Sequence, residues 1–186
     1  VPIIVLVNLN DEKVGTEAIL AGAEDYIIKE QNNEHLLAKS INVAYERQRI
    51  KNRQDDKIKL LSGALEQSSA CVVITNIHGD IEYVNPVFEQ ITGYTREEVL
   101  NKNPRILQSG QTKKETYEEM WKTITSGKTW TGVFINKKKN GELYYEKANV
   151  TGIKKNNHIT HFVAIKSDIT NRFLREYELE EAKNQA

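Results

Sequence analysis

Three consecutive strand-like segments in the C-terminal part of the chain place the strongest constraint on its fold. They read TWTGVFINKKK, ELYYEKANVTGI and HITHFVAIKSDI, and Asn140 and Gly141 lie between the first two. Asn-Gly is the strongest short-range signal for a hairpin, because both residues tolerate the positive φ angles of a tight turn. The three segments therefore predict an antiparallel meander.

Two further strands are predicted upstream, on either side of the turn His78-Gly79-Asp80 in CVVITNIHGDIEYVN. Short helices are predicted between these strands and the meander. Pro86 suits the first turn of one helix that ends at Gly93, and capping-box patterns begin at Thr95 and Thr112. This order of elements predicts an α+β domain with an antiparallel sheet.

The N-terminal segment has a different character. Its opening run VPIIVLVN is apolar and β-branched, which predicts a strand buried on both faces of a parallel sheet. A helix capped by Asn10 and stopped by Gly22 follows, then the strand EDYIIKE and a second helix. Strand, helix, strand and helix in about 50 residues make half of a doubly wound α/β domain, which suggests a fragment of a longer protein, although a degenerate natural chain would look the same.

A charged stretch, ERQRIKNRQDDKIKL, joins these two parts without Pro or Gly. It predicts a helix that continues out of the preceding one. Its apolar spacing is weak, so the sequence leaves open whether the helix is an exposed spacer or one half of a two-helix seam.

Composition excludes several classes of function. With 26 basic and 26 acidic residues the formal charge is zero, so no field favours nucleic acid or an anionic membrane. The single Cys71 suits a reducing cytosol. No apolar run approaches the ~20 residues that span a bilayer, and no signal peptide is visible. These features predict a soluble, cytoplasmic protein with neither nucleic acid nor membrane among its partners.

Catalytic and metal sites are not expected. The chain shows no Gly-rich phosphate loop, no Ser/His/Asp arrangement and no kinase-type ATP-binding motif, so we predict no catalytic residues and no enzyme activity. His158 and His161 are three residues apart in a predicted strand. They should point to opposite faces and cannot share one metal ion.

The N-terminal segment resembles the C-terminal half of a response-regulator receiver domain. VPIIVLV is similar to the fourth strand of that family, and AGAEDYIIK is similar to its AGAxDYLxK motif, with Lys29 at the lysine position. The resemblance implies that Lys29 would contact a phosphoryl group. Val7 stands where the family has a switch hydroxyl, and the acidic acceptor residues would lie in the absent half. We therefore expect a segment that packs and transmits without accepting phosphate.

Residues from about 62 to 170 resemble a PAS domain. The motifs that carry the resemblance are GDIEYVNPVFEQITGYTREEVL, NPRILQSG, the run from Trp130 to Lys139, and SDIT. The resemblance implies a five-stranded antiparallel sheet with flanking helices and an internal cavity. The expected organisation is a partial receiver-like segment (1–50), a helical connector (51–66), a PAS sensor domain (67–170) and a signalling helix (171–186).

The segment NPRILQ bears on cofactor chemistry. It is similar to NCRFLQ of the light-sensing LOV branch of PAS domains, but Pro104 replaces the cysteine that bonds to flavin. Glu146 and Lys166 also stand where amide side chains would be expected. FMN photosensing is therefore not expected. Heme is not expected either, because the predicted helix TKKETYEEMWKTITSG has no histidine.

The redox-sensing PAS branch that binds FAD is more similar, in its ILxxG and W-x-G-x-x-x-N-x-x-K motifs. The resemblance implies FAD as a candidate cofactor, with Trp130 packed on the ring and polar side chains on its heteroatoms. The candidate ligand-binding residues are Asn103, Arg105, Gln108, Trp130 and Asn136. The residues alone leave simpler roles open: Trp130 as a core anchor, Arg105 as a surface ion-pair partner and Asn103 as a turn residue.

The predicted function is a sensory module of a two-component-type phosphorelay, which senses a small ligand or redox state and signals through helices. A histidine kinase or another output domain is the expected partner. Apolar faces on both long helices predict a homodimer; they comprise Leu36, Leu37, Ile41, Phe173, Leu174 and Tyr177. The alternative is a protein-interaction or dimerisation PAS scaffold without a bound cofactor, whose own side chains fill the cavity.

Overall fold

The computed structural model describes residues 2–8, 11–29 and 34–184. They divide into two compact units, residues 1–62 and 63–186. The elements, in chain order, are β1 (Ile4–Val7), α1 (Glu12–Leu20), β2 (Asp25–Ile28), α2 (Glu34–Glu66), β3 (Cys71–Asn76), β4 (Ile81–Val84), α3 (Pro86–Thr92), α4 (Arg96–Val99), a 3₁₀ turn (Pro104–Leu107), α5 (Lys114–Thr125), β5 (Trp130–Lys137), β6 (Leu143–Lys155), β7 (His158–Asp168) and α6 (Thr170–Asn184).

The N-terminal unit contains a strand–helix–strand arrangement in which β1 and β2 pair in parallel, as predicted. Helix α1 approaches the sheet closely at Gly15, where an added Cβ would lie 2.4 Å from the Tyr26 ring. The prediction that the first strand is buried on both faces is wrong. Only Val7 is buried, whereas Leu6 is 45% exposed, because α1 covers only part of a sheet that has two strands. The expected cap Asn10 lies outside the described residues.

Helix α2 runs without a break from Glu34 to Glu66, so the charged stretch continues the preceding helix as predicted. Its central apolar side chains are exposed, among them Ile50 (54%) and Ile58 (65%). Charged and amide side chains pair along the surface, for example Arg49 with Glu46 at 3.0 Å. Such pairs three or four residues apart support an exposed helix by a few tenths of a kcal/mol each.

The C-terminal unit contains a five-stranded antiparallel sheet in the order β4-β3-β7-β6-β5, which confirms the predicted sheet. The meander β5-β6-β7 follows the chain order, and its first hairpin turns at Gly141, whose φ is 92°. Strand β7 also pairs with β3, from Cys71 opposite Lys166 to Asn76 opposite His161. The last strand therefore lies in the middle of the sheet.

Two hydrophobic clusters cover the inner face of this sheet. One joins β3 and β4 to α3, α4 and the 3₁₀ turn, with Phe88 and Leu107 at its centre. The other joins β5, β6 and β7 to α5, with Trp130 and Phe134 among its members. Ala164 of β7 packs against both clusters, so the two clusters meet at the middle of the sheet.

The helix boundaries confirm most of the predicted caps. Helix α3 begins at Pro86 and ends at Gly93 in the left-handed conformation (φ 76°), and Thr95 forms a full capping box with Glu98. The predicted box at Thr112 is wrong, since α5 begins at Lys114 without a side-chain cap. The Thr112 hydroxyl instead accepts from the Ile135 N–H (2.8 Å) and donates to its carbonyl (3.2 Å), because this backbone pair at the sheet edge needs a partner.

Asn85 is fully buried and joins three elements. Its Oδ1 accepts from the backbone N–H groups of Val72 (2.9 Å) and Phe88 (3.4 Å). Its Nδ2 donates to the carbonyls of Leu65 (3.2 Å) and Ala70 (2.9 Å). The amide thus connects the last turn of α2, the start of β3 and the first turn of α3.

We expect Asn85→Ala to lower the free energy of unfolding of the C-terminal unit by about 2–4 kcal/mol, because it leaves several buried backbone groups unpaired. Urea denaturation followed by tryptophan fluorescence measures this, since Trp121 and Trp130 are the two tryptophans of the chain. Asn149→Ala, an exposed position on β6, is the matched control. A loss below about 0.5 kcal/mol at Asn85 would show that the amide does not anchor these elements.

Candidate functional site

A cavity of about 530 Å³ lies between α5, the 3₁₀ turn and the inner face of the sheet in the C-terminal unit. Pockets that enclose a small molecule or cofactor have volumes of about 300–1,000 Å³. The lining combines apolar and aromatic side chains with a few polar groups. The aromatic and long apolar members are Tyr117, Met120, Trp121, Ile124, Phe134 and Phe162; the polar and charged members are Thr75, Asn103, Arg105, Gln108, Thr112, Lys114, Asn136 and Lys166.

Aromatic rings form the wall on the α5 side. Tyr117 stacks on Phe134 of β5, with ring centroids 5.3 Å apart and planes 15° apart. Trp121 meets Phe162 of β7 edge-on at 5.6 Å. The α5 residues of this wall were not identified from the sequence. They recur at positions 117, 120, 121 and 124, the spacing of one helix face, and that periodicity was the available signal.

The segment from Asn103 to Gln108 is anchored at the cavity mouth. Asn103 Oδ1 accepts from the Arg105 N–H at 3.1 Å and so caps the 3₁₀ turn that Pro104 begins. Gln108 forms an isolated antiparallel bridge with Asn136, which fixes the end of the turn against β5. The side chain of Asn103 also lies over Gly79, where an added Cβ would be 2.8 Å from its Nδ2.

Four of the five predicted ligand-binding residues line this cavity: Asn103, Arg105, Gln108 and Asn136. The structure places Trp130 in the core instead of at the cavity wall. Its indole lies over Gly132 and 5.0 Å from the Phe134 ring, and the residue is only 4% exposed. The core-anchor role that the sequence left open is the one that Trp130 has.

Arg105 lies at the exposed edge of the cavity. The sequence left open an ion pair between Arg105 and the acidic residues Glu97 or Glu98. Glu98 pairs with Lys139 at 2.5 Å instead. Arg105 is therefore positioned at the mouth, where a long cation could reach a charged group of a ligand.

The innermost polar group of the cavity is a buried ion pair. Lys166 Nζ donates to Glu146 Oε2 at 2.8 Å, with side chains 7% and 1% exposed. The same oxygen accepts from Asn136 Nδ2 at 3.0 Å, and Oε1 accepts from the Tyr144 hydroxyl at 3.3 Å. Lys166 lines the cavity and the carboxylate lies behind it. These are the two positions where the LOV resemblance led us to expect amides.

Burial and charge act together on the groups around this pair. Burial is the largest single effect on Lys166 and lowers its pKa, but the charge of Glu146 and its hydrogen bond act with the other neighbouring groups to raise the pKa overall, so the ammonium stays protonated. Burial, followed by the Glu146 carboxylate, raises the pKa of Tyr144. Burial also raises the pKa of the Cys71 thiol from 9.0 to about 12. Lys166 is thus a cation at the cavity wall, and the neighbouring Tyr144 and Cys71 are neutral acids at neutral pH.

The remaining predicted positions lie elsewhere. In the N-terminal unit, Lys29 is exposed at the end of β2, and its N–H donates to the Val7 carbonyl at 2.7 Å. In the C-terminal unit, His161 pairs with Glu82 at 3.1 Å. The described residues contain no group of three or more side chains placed to hold a metal ion. Among those residues, no helix is long and apolar enough to cross a membrane.

An antiparallel sheet that encloses a ligand-sized cavity defines a small α+β sensor-type domain, and comparison with known proteins gives its family. Residues 69–171, more than half of the chain, match the family model described as PAS domain. The chain belongs to the PAS domain family, as the sequence resemblance predicted.

Named relatives are sensory regulators. The chain is 35% identical over 116 residues to the nitrogen fixation regulatory protein of Klebsiella oxytoca, covering 62% of this chain and 23% of that protein. It is 33% identical over 129 residues to the blue-light photoreceptor of Listeria innocua, covering 68% and 51%. The chain therefore spans between a quarter and a half of the length of these relatives. These matches confirm the predicted class, a sensory signal-transduction module.

A solved structure supports the fold. The RNA-binding Light-Oxygen-Voltage receptor matches with a TM-score of 0.62 and 24% identity, over 68% of this chain and 37% of that one. The Listeria innocua relative is a blue-light photoreceptor, and this conflicts with our expectation against FMN photosensing. The sequence argument against FMN photosensing concerned one thiol and two amides, whereas the match to this relative extends over 129 residues.

We expect the single thiol, Cys71, to react slowly with Ellman's reagent at pH 8 in the folded protein. A pKa of about 12 instead of 9.0 lowers the thiolate fraction roughly 1,000-fold, and the residue is fully buried. Release of the coloured thiolate at 412 nm measures the rate, and the urea-unfolded chain is the control. Rapid stoichiometric labelling of the folded chain would contradict this placement.

Proposed function

We propose that the C-terminal unit is a ligand-binding PAS sensor whose cavity accepts a flavin, and that binding or reduction of the flavin is passed on through the adjoining helices. The observation that carries this proposal is the cavity itself, with aromatic walls and polar groups at one edge. Relatives that are a blue-light photoreceptor and a nitrogen fixation regulator support it.

The residues present fit a flavin. A planar ring system would lie against Tyr117, Trp121 and Phe134, which offer apolar and aromatic contact. Asn136 and Lys166 are placed among the groups that would meet the heteroatoms of the ring. When bound, a flavin supplies light absorption and reversible electron uptake.

The protein residues determine which responses are available. Pro104 has no thiol, and Cys71 is buried at the start of β3, so neither provides the cysteinyl bond of LOV photochemistry at the 3₁₀ turn. We therefore propose a noncovalent response, to redox state or to ligand occupancy. Arg105 at the mouth would suit a phosphate, which both FMN and FAD carry.

Strand β6 is the proposed route from the cavity to α6. Glu146 faces the cavity side, and its neighbour Tyr145 holds the first turn of α6 on the other side. The Tyr145 N–H donates to Thr170 Oγ1 at 2.9 Å, and its carbonyl accepts from the Ile169 N–H at 2.8 Å. Phe173 stacks on the Tyr145 ring at 4.1 Å. A displacement of Glu146 would therefore reach the start of α6 through one residue of strand.

The last turn of α2 is joined to the same unit at β4 and α4. Glu66 Oε1 accepts from the Tyr83 hydroxyl at 2.9 Å and from Arg96 at 2.8 Å. Arg96 also donates to the Val84 carbonyl and lies 5.1 Å above the Tyr83 ring. We infer that these polar contacts attach the last turn of α2 to the C-terminal unit, as Tyr145 attaches α6.

The N-terminal unit indicates the kind of pathway in which the chain acts. We propose that the N-terminal unit derives from a receiver domain and that the chain belongs to a cytoplasmic two-component phosphorelay, without enzyme activity of its own. The parallel strands β1 and β2 with α1, and exposed Lys29 at the end of β2, support this. Buried Val7 supplies no hydroxyl, so the segment is proposed to transmit without taking up phosphate, with a histidine kinase or an output domain as partner.

A second candidate function is a dimerisation scaffold without cofactor. Helix α6 supports it, because Phe173, Leu174 and Tyr177 are 40%, 48% and 54% exposed along one side. Pairing of these faces in a homodimer would cover them. A protein that dimerises but binds no flavin would have this function.

We expect the chain to sediment as a dimer at micromolar concentration. Leu174→Lys should raise the dissociation constant of the dimer at least tenfold, because a charge would be buried in the interface. Analytical ultracentrifugation over a concentration series measures this. Arg175→Ala, the adjacent residue, is the control. A wild-type chain that stays monomeric would sink the dimer proposal.

We expect the mildly purified protein to absorb near 375 and 450 nm and to release a flavin on acid treatment, because the cavity fits the ring. Mass analysis of the released compound separates FMN from FAD. Ala164→Phe should remove the bound flavin, since Ala164 lines the cavity at the middle of the sheet.

Val133→Phe, on the exposed face of β5, is the matched control and should keep the flavin. A colourless wild-type protein that takes up neither riboflavin, FMN nor FAD on titration would refute the flavin proposal. The dimerisation scaffold would then be the function that the structure supports.

A further inference from the structure

The Glu146–Lys166 pair is arranged asymmetrically about the cavity. Lys166 is part of the lining, and Glu146 is not. The carboxylate receives three donors from the protein itself, namely Lys166 Nζ, Asn136 Nδ2 and the Tyr144 hydroxyl. Its acceptor capacity is thus largely used within the sheet, and the charge that faces the cavity is positive.

The ammonium of Lys166 has donors to spare. A lysine ammonium has three N–H donors, and Glu146 takes one of them at 2.8 Å. The other titratable side chains that face it are Cys71 from β3 and Tyr117 from α5. A thiol is a weak acceptor, and the Tyr117 ring is stacked on Phe134.

A purely structural role does not explain this arrangement well. A buried ion pair adds little net stability, because the cost of removing both charges from water offsets their attraction. Here Lys166 lies in the wall of an aromatic cavity, and Glu146 pairs with it from behind the wall. A buried charge with free donors at a cavity wall points to a ligand group that meets it.

We propose that Lys166 is the residue that determines ligand class: it selects an aromatic ligand with an anionic or strongly hydrogen-bond-accepting group at its buried edge, and Glu146 holds it charged in place. This assignment rests on the proposed function, since it concerns the same cavity. It goes further in stating which edge of the ligand lies at the buried end and which charge is stabilised there. For a bound flavin, the Lys166 ammonium would stabilise negative charge that develops on the ring.

The test uses two probes that share a fused aromatic scaffold and differ in charge. The anion is 8-anilinonaphthalene-1-sulfonate, and the neutral compound is N-phenyl-1-naphthylamine. Both become fluorescent in apolar sites, so their dissociation constants come from direct titration of the ligand-free chain. Ala164→Phe, which fills the cavity, should remove binding of both probes and so places them there.

The informative variant is Glu146→Gln/Lys166→Gln. It removes both charges together, so no buried charge is left unpaired, and it keeps hydrogen-bonding groups at both positions. The control is Glu98→Gln/Lys139→Gln, which removes an exposed pair of the same type away from the cavity. Retained binding of the neutral probe shows that the cavity of each variant is intact.

We expect the double variant at the cavity to bind the anionic probe roughly tenfold or more weakly and the neutral probe within about twofold of wild type, because a charge-assisted hydrogen bond is lost. The exposed-pair control should change neither. If both probes bind and the double variant leaves their ratio unchanged, the assignment of Lys166 is overturned while the ligand cavity stands. If neither probe binds the wild-type cavity, the ligand-binding function fails, and the assignment fails with it.

Discussion

The C-terminal unit depends on the position of one strand, β7, which pairs with β3 on one side and with β6 on the other. Strand β3 begins the sheet and β7 ends it, yet Cys71 lies directly opposite Lys166 across their shared ladder. Without β7 the sheet would be two separate hairpin-like pieces, and the two hydrophobic clusters that meet at Ala164 would lack their common member. The same strand leads directly into α6. The element that completes the core is therefore also the one that carries the exit helix.

This pairing determines where the polar chemistry can lie. Because side chains alternate along a strand, Phe162, Ala164 and Lys166 share the inner face of β7. The register with β6 places Lys166 opposite Ala148, so its ammonium can reach diagonally to Glu146. A small alanine at the directly opposite position leaves room for that reach. The ion pair is thus a consequence of register, and the cavity beside it is lined by members of both clusters, among them Val73 and Phe134.

Local signals in the sequence account for most of the elements. The Asn140–Gly141 turn, the proline at the start of α3 and the Thr95 capping box act within a few residues, so they are readable without knowledge of the fold. Thr112 shows the limit of such signals. The residues around it have the pattern of a helix cap, but its hydroxyl instead accepts from the backbone N–H of Ile135, which is distant in sequence. A local preference worth about 1 kcal/mol is readily overridden by a partner that only the tertiary structure provides.

The sequence identified several of the residues that line the site, but only part of what each residue does there. Asn103, Gln108 and Asn136 were identified because they are polar residues in a recognisable frame. Trp130 was a candidate ligand contact with a core role left open, because an aromatic ring suits either, and its burial and close approach to Gly132 decide for the core. The partnership of Glu146 and Lys166 could not be inferred, since it depends on a register between strands that a single sequence does not specify.

The buried ion pair has a consequence for how this family member can change over evolutionary time. Replacing either partner alone leaves an uncompensated charge in the core, which costs about 3–5 kcal/mol, a large part of the stability of a typical domain. We therefore expect single substitutions at either position to be selected against, whereas replacement of both residues together is tolerated. Such a paired replacement would also change the charge that Lys166 presents to the cavity.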